Sequence, residues 1–435
     1  MPADNYSAQA DTCLRKLCLE LLSYELEAAS DRYGKLWLLR VLSMSVVDPH
    51  FNSPFHTLTL QRIPLRRRET LQAWDAADEY LLNHFFTEFA QRQPAPDQNV
   101  LVCNDNFGAL CLNLHDYKPA LYTDSHIAEL ALAHNAQLNN LPVSSVSVIP
   151  STAEPACNRA KGKWDVVLMK LPKNQSWFRE QLIQIKPFLH EGSKVVVAAM
   201  VKHLPHSALE QLEQIIGPAS LSRAKKKARL LMADTDLQRK APESKYPRHW
   251  QVDNARKPHN GIKLINHANT FSRDSLDIGA RFFIEHLPTG IGGNIIDMGC
   301  GNGIIGIATA MQNPGHITFV DESHMAVASA QASWQANSMN EAQASFKVND
   351  ALQGFPANSA DCVLCNPPFH QQNTVGDQIA QRMFRDAKQV LKPGGEFRVI
   401  GNRHLGYHAL MKKLFGQCTL VASNSKFVVL SSIRC

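Results

Sequence analysis

The sequence predicts an α/β protein built twice: two tandem domains, each a mostly parallel sheet with helices on its faces. Two observations predict this. From about residue 55 onward, short apolar runs alternate with segments whose apolar residues recur every three to four positions. The alternation also occurs once on each side of a polar stretch rich in Pro, Lys and Arg, with matching order and spacing in the two halves.

In the first half, NVLVCND, ALYTDS, WDVVLMKLP and EGSKVVVAAM read as strands, with HIAELALAHNAQLNN and SWFREQLIQIKPFL as helices between them. In the second half, GNIIDMGCGNG, HITFVDES, SFKVND, DCVLCNPPF, KPGGEFRVIGN and KFVVLSSI contain the strands. VLVCNDNFGALCLNL lies over IIDMGCGNGIIGIAT, LYTDSHIAELALAHNAQLN over FVDESHMAVASAQASWQANSMN, and WDVVLMKLPKN over DCVLCNPPFHQ. Duplication of one Rossmann-like unit accounts for the match. The expected organisation is a helical N-terminal extension over 1–50, a first domain over 51–235, a linker over 236–261 and a second domain over 262–435. WQVDN, inside the linker, is alternatively a β-ribbon ending the first domain. Residues 1–50 show helical apolar spacing in CLRKLCLELLSYELEAAS and KLWLLRVLSM. They read either as a genuine extension or as sequence upstream of a start near Met44, and the second is preferred.

Hydrophobic residues make up 44% of the chain and charged residues 19%, an ordinary globular composition. No uncharged apolar run reaches the roughly 18 residues of a membrane span. MPADNYSAQAD lacks the basic-then-apolar pattern of a secretory signal. The ten cysteines sit mostly in apolar runs without framework spacing. They read as free thiols in a reducing cytoplasm, the expected location. Cys362 and Cys365 have CxxC spacing, but no second pair or histidine group accompanies them. A buried strand is therefore expected there, and no metal. The net charge of +6 does not itself demand a polyanionic partner. Basic residues do cluster, at Arg66, Arg67 and Arg68, and at Arg223, Lys225, Lys226, Lys227 and Arg229.

The chemistry concentrates in the second half. Asp297-Met298-Gly299-Cys300-Gly301-Asn302-Gly303 follows a strand and precedes the helical pattern IIGIATAMQ. Its glycines permit a sharp turn and close approach of backbone to a ligand. Asp297 stands where a carboxylate could attract the cationic amino end of S-adenosyl-L-methionine. Asp321 ends the next strand, placed to bind ribose hydroxyls or to N-cap the following helix. Asp350 follows a third strand, within reach of an adenine amino group, with Asn349 as the alternative. Asn366-Pro367-Pro368-Phe369 is the most specific feature. Two prolines stiffen the backbone and give up two N–H groups, so the Asn366 side-chain oxygen and the Pro367 carbonyl can accept from a planar NH2. Phe369 can stack on the ring carrying that amine. Such a site needs positioning of donor and amine more than a strong base.

These residues resemble the class I methyltransferases that modify amino groups. HANTFSRDSLDIGARFF, CNPPFHQQ, GNRHLGYH and SNSKFVVL, with LTLQRIPLRRRETLQAWDAADEYLL, NDNFGAL, TDS and KKKARL in the first half, are similar to the bacterial ribosomal RNA guanine-N2 methyltransferases. The similarity covers about residues 55–435 and is greatest to the branch acting on the large subunit. It implies two tandem class I methyltransferase-like domains, the first degenerate, that methylate the N2 of one guanine in 23S ribosomal RNA, without metal or membrane. By matching positions, Asn366, Pro367, Pro368 and Phe369 carry catalysis. Asp297, Gly299, Gly301, Gly303, Asp321 and Asp350 bind the cofactor, with contacts from Phe271, Ser272 and Asp277. The first copy reads Asn104-Asp105-Asn106-Phe107-Gly108 in place of the glycine turn and Lys170-Leu171-Pro172-Lys173 in place of the tetrapeptide. Phe107 would fill cofactor space and Lys173 would repel a sulfonium, which leaves the first copy to hold RNA with its basic runs. The tetrapeptide alone also fits adenine, cytosine or a protein glutamine amide. An inactive RNA-binding protein of this fold is the contrasting reading, and the intact second copy speaks against it.

Overall fold

The computed structural model describes residues 47–66, 69–91, 98–159, 162–253, 259–368 and 374–435. The helices expected within 1–46, and Arg67, Arg68 and Phe369, lie outside the described residues. Pro49–Pro64 and Ala73–Cys435 form one compact unit; Leu65–Gln72 belongs to another, within which Arg66 lies 3.8 Å from Glu69.

The large unit contains two seven-stranded sheets of the same topology. In the first, the strands are β3 (Val100–Cys103), β4 (Ala120–Thr123), β5 (Ser147–Pro150), β6 (Trp164–Lys170), β7 (Leu189–Met200), β8 (Ala219–Leu221) and β9 (Ala228–Asp234), in the order β5-β4-β3-β6-β7-β9-β8. In the second they are β12 (Asn294–Met298), β13 (His316–Asp321), β14 (Ala344–Val348), β15 (Ala360–Cys365), β16 (Leu391–Asn402), β17 (Thr419–Ser423) and β18 (Phe427–Ile433), in the order β14-β13-β12-β15-β16-β18-β17. Each sheet is parallel except for the final hairpin, whose inner strand runs antiparallel to its neighbour. The central strands are buried on both faces, as helix-covered parallel strands must be.

The repeat reaches further than the matched strands. A two-stranded ribbon precedes each sheet: β1 (His50–Asn52) with β2 (Thr57–Thr59), and β10 (Arg248–Gln251) with β11 (Lys263–Asn266). The helices α3 (His126–Leu138) and α8 (His324–Ala336) hold these ribbons in the same way. Asn139 accepts from the Thr59 N–H and donates to its carbonyl, both at 2.8 Å. Asn337 does the same to Lys263, at 3.0 and 2.7 Å. β10 falls inside the segment expected to be a linker, and it opens the second domain rather than ending the first. Val252 is buried and donates to the Ile262 carbonyl, and the Trp250 indole donates to Arg273, so this ribbon is packed structure.

Cys362 and Cys365 project to opposite faces of β15. One packs with Ile295 and Leu364, the other with Val363 and Phe384. Burial pushes both thiols up, away from the thiolate that metal or redox chemistry needs. Among the described residues no helix is long and apolar enough to cross a membrane.

Candidate active site

Sheet topology places the site. From β12 the chain steps outward one way to β13 and β14, then returns to add β15 on the other side of β12. Ligands of open α/β sheets bind outside the carboxyl ends of the strands, at this reversal. Met298 pairs with Cys365 in register, so the glycine turn after β12 and Asn366 after β15 leave adjacent strand ends. Met298 also pairs with Val320, and Asp321 with Val348, which brings Asp321 and Asp350 to the same edge. The sequence-expected residues with described positions therefore share one rim, apart from the leading motif.

The turn has the conformation its glycines allow. Gly299, Gly301 and Gly303 have φ of 75°, 54° and 84°, in the left-handed region costly to other residues. Gly303 starts α7 (Ile304–Ala310), and a Cβ there would come within 3.0 Å of Ala330. At Gly301 a Cβ would meet nothing within 4 Å, so this backbone borders open space where a ligand can approach.

Asp297 is completely buried; one carboxyl oxygen accepts from the Gly306 N–H at 2.8 Å and the other has no partner among the described residues. Burial pushes its pKa up to about 7, opposed by the Gly306 bond. An orphaned acceptor whose ionisation is suppressed by burial is what an ammonium group would relieve. Asp321 accepts from the Gly301 N–H and the Ser323 N–H, both at 3.0 Å, and burial raises its pKa. The helix cap is Ser323, which accepts from the Ala326 N–H, so Asp321 fixes the glycine turn instead of capping α8. Asp350 forms an ion pair with Arg382 at 2.7 Å, an arrangement the sequence did not disclose. Asn349 turns away, donating to the carbonyls of Ala351 and Gln353, which removes it as the alternative.

At the end of β15, the Asn366 side-chain oxygen is buried with no hydrogen-bond partner among the described residues. Pro367 is buried and Pro368 exposed. Asp277, expected beside the cofactor, caps the helix α6 (Ile278–Ile284) by accepting from the Ala280 N–H at 2.9 Å. Ser272 has φ of 54° and Phe271 is 54% exposed on the same segment.

The first copy shows what replaces this chemistry. Val102 takes the place of Asp297 and Lys170 that of Asn366, since Cys103 pairs with Met169 as Met298 pairs with Cys365. Lys170 is ion-paired to Asp75 at 2.7 Å and Asp78 at 2.8 Å, from the first turn of α1 (Ala76–Phe85) and its cap. Asp105 accepts from the backbone N–H groups of Phe107, Gly108, Ala109, Leu110 and Cys111, and so occupies the start of α2 (Ala109–Asn113) with the chain's own carboxylate. Phe107 packs on the core, with Arg62 4.6 Å above its ring. Sequence reading picked out Phe107 and Lys173; Asp105 and Lys170 close the strand ends more directly. It also missed a group on this copy, His56, His115 and Asp116, whose possible ligand atoms lie within 4.8 Å of one another. Their separation in sequence gave no signal.

Comparison with known proteins agrees with this architecture. Residues 48–237 match the RLMG N-terminal domain family and residues 261–431 the Methyltransferase small domain family. A solved structure, the T. thermophilus 16S rRNA N2 G1207 methyltransferase (RsmC) in complex with AdoMet and guanosine, covers 89% of this chain and 97% of its own, with a TM-score of 0.68 at 20% identity. Fold and site together define a class I methyltransferase dependent on S-adenosyl-L-methionine. Ribosomal RNA large subunit methyltransferase G of Stutzerimonas stutzeri (strain A1501) is 47% identical over 389 residues, 89% of this chain and 100% of the relative. The protein of that name from Pseudomonas aeruginosa (strain UCBPP-PA14) is 46% identical over 387 residues, 88% and 99% of the two chains. The chain belongs to the ribosomal RNA large subunit methyltransferase G family.

Proposed function

We propose that this enzyme methylates the exocyclic N2 of one guanine in 23S ribosomal RNA, in the cytoplasm. The observation that carries this reading is the buried Asn366 oxygen, without a partner among the described residues, on the strand end adjacent to the glycine turn. The names of the relatives supply the large subunit. Asn366 and the Pro367 carbonyl accept the two N–H groups of a planar amine. This favours a pyramidal nitrogen whose lone pair faces the turn. When bound there, S-adenosyl-L-methionine supplies an electrophilic methyl group. Asp297 receives its ammonium group and Asp321 its ribose, while Asp350 borders the base. Phe369, outside the described residues, is assigned to the guanine ring by its place in the tetrapeptide.

The first copy holds RNA rather than cofactor, because its helix start and its β6 end are occupied by Asp105 and by the Lys170 ion pairs. Its basic turn supports this role. Lys225 and Ala228 bridge a two-residue hairpin whose central residues, Lys226 and Lys227, have φ of 46° and 65°. Asn-Gly is the favoured filling of such a turn, and lysines there cost about 1–2 kcal/mol each.

The test is methyl transfer from tritiated donor to purified 23S rRNA, 16S rRNA, DNA and protein, with fragment mass spectrometry of the product. Label is expected in a single 23S fragment as N2-methylguanine. Label confined to another acceptor sinks the assignment. In the same assay, replacing Lys225, Lys226 and Lys227 with alanine should weaken RNA binding and flatten its salt dependence.

Asp297 gives a pH prediction. Its folded pKa, about 7, lies above the unfolded value, so its contribution to stability is full below about 4 and is lost as pH rises through about 7. A bound ammonium reverses the preference, because it requires the carboxylate. Cofactor affinity is therefore expected to rise between about pH 6 and 7, with proton release on binding measured by calorimetry in two buffers. Glu322, also pushed to about 7 by burial, titrates in the same window, so the decisive variant is Asp297→Asn. A pH profile unchanged in that variant would remove Asp297 from the role.

A further inference from the structure

We infer that Asp124, a residue of the copy that lacks the glycine turn, is a positioning residue for the cofactor aspartate of the other copy. The inference rests on the assignment of Asp321 to the cofactor. The two domains meet where α3 and α8 begin. Ser125 and Ser323, the caps of the two helices, form an antiparallel bridge. The His126 N–H donates to the Glu322 carbonyl at 2.9 Å, and the His324 N–H to the Asp124 carbonyl at 3.0 Å.

The contact is symmetric in backbone and asymmetric in side chains. Asp124 is buried and accepts from four groups: Ser151 Oγ at 2.5 Å in its own domain, and Ser323 Oγ at 2.6 Å, the Met325 N–H at 2.8 Å and Asn269 Nδ2 at 2.6 Å in the other. Glu322, at the matching position, accepts from Ser125 Oγ at 2.6 Å. Asp124 thus grips both sides of Ser323–Met325 from outside the domain. Asp321 accepts from the backbone N–H of that same Ser323, and from Gly301 in the glycine turn. The chain of contacts runs from Asp124 through Ser323 to Asp321 and on to Gly301. Glu129 braces its flank, bonded to His126 at 2.8 Å and to His324 at 2.7 Å. Duplication followed by loss in one copy has left that copy holding the other's ribose-binding strand end.

Such an interaction acts on a bound geometry, so it should appear in cofactor affinity more than in turnover at saturation. Asp124→Ala is expected to raise the Kd for S-adenosyl-L-methionine about tenfold, equivalent to about 1.4 kcal/mol, with kcat at saturating cofactor within about twofold. Asp124→Asn retains one acceptor and should recover part of the affinity. Ser323→Ala, which cuts the link from the other side, should weaken binding similarly and serves if Asp124→Ala does not fold. In an Asp321→Asn background the Asp124→Asn change should have no further effect on Kd, which a double-mutant cycle reads directly. Variants that melt at lower temperature while binding cofactor as the parent does would reduce Asp124 to domain glue and overturn the inference. Unchanged Kd in Asp321→Asn alone would overturn the Asp321 assignment as well, and that result is distinct.

Discussion

Asn366→Ala is expected to cut kcat roughly 10²–10³-fold, the usual cost of losing one preorganised polar group at a reacting centre, while cofactor and RNA affinities stay within about twofold. The Asn366 oxygen is buried and has no partner among the described residues, so no fold-stabilising hydrogen bond disappears with it. What disappears is an acceptor for the amine in the transition state, an interaction much weaker in the ground state, and such losses fall on kcat. Asn366→Asp keeps an oxygen in place and should recover part of the rate. Single-turnover methyl transfer, cofactor calorimetry and RNA filter binding together decide the matter. A parallel collapse of RNA affinity or of thermal stability in Asn366→Ala would mean that the residue supports structure.

Strand ends were legible in the sequence and their partners were not. The apolar runs located β3, β4, β6 and β7 in the first sheet and β12 to β16 and β18 in the second, but not β5, β8, β9 or β17; the repeated order foretold two sheets of one topology. Asp297, the glycines and Asn366 are singled out because each sits in a local pattern: an acid, a turn or a proline pair directly after an apolar run. The misread or missed features involve side chains distant in sequence. Ribose binding and helix capping could not be separated for Asp321 by spacing; only the fold reveals that Ser323 caps and that Asp321 accepts from Gly301, twenty residues away. Arg382, which neutralises Asp350, comes from α9 (Thr374–Val390), beyond another strand. Asp124 is not singled out by sequence because its contacts lie across a domain boundary, 199 residues away at Ser323. The ribbon β10–β11 reads from sequence only as an alternative, attached to the first domain, because its strands are short and its alignment depends on Asn337, in the second domain.

Gly306→Ala is expected to destabilise the second domain by about 3 kcal/mol, the upper end of the usual overpacking cost, against the gain of about 1 kcal/mol that alanine brings to an exposed helix. Sterics decide the sign. A Cβ at Gly306 would lie 2.2 Å from Cε1 and 2.6 Å from Cζ of Phe319. That ring is fully buried, stacked 4.9 Å from Phe346 and edge-on to Trp334 at 5.6 Å, so it has nowhere to move. The first copy contains the complementary solution: Cys111 stands at the position of Gly306, and Leu121 at that of Phe319, in one core cluster. The duplicates have exchanged volume between helix and strand, keeping the sum that packing requires. Phe319→Leu in the Gly306→Ala background should therefore restore most of the loss, although alone it leaves a cavity and costs about 1 kcal/mol. The transition to follow is the one that cofactor shifts upward, since binding stabilises only the folded domain that holds it. The Gly306 N–H also holds Asp297, so cofactor affinity should fall in the single variant and return in the double. Additive destabilisation would mean that α7 shifts away from β13 without strain, and that the matched glycine and phenylalanine are independent.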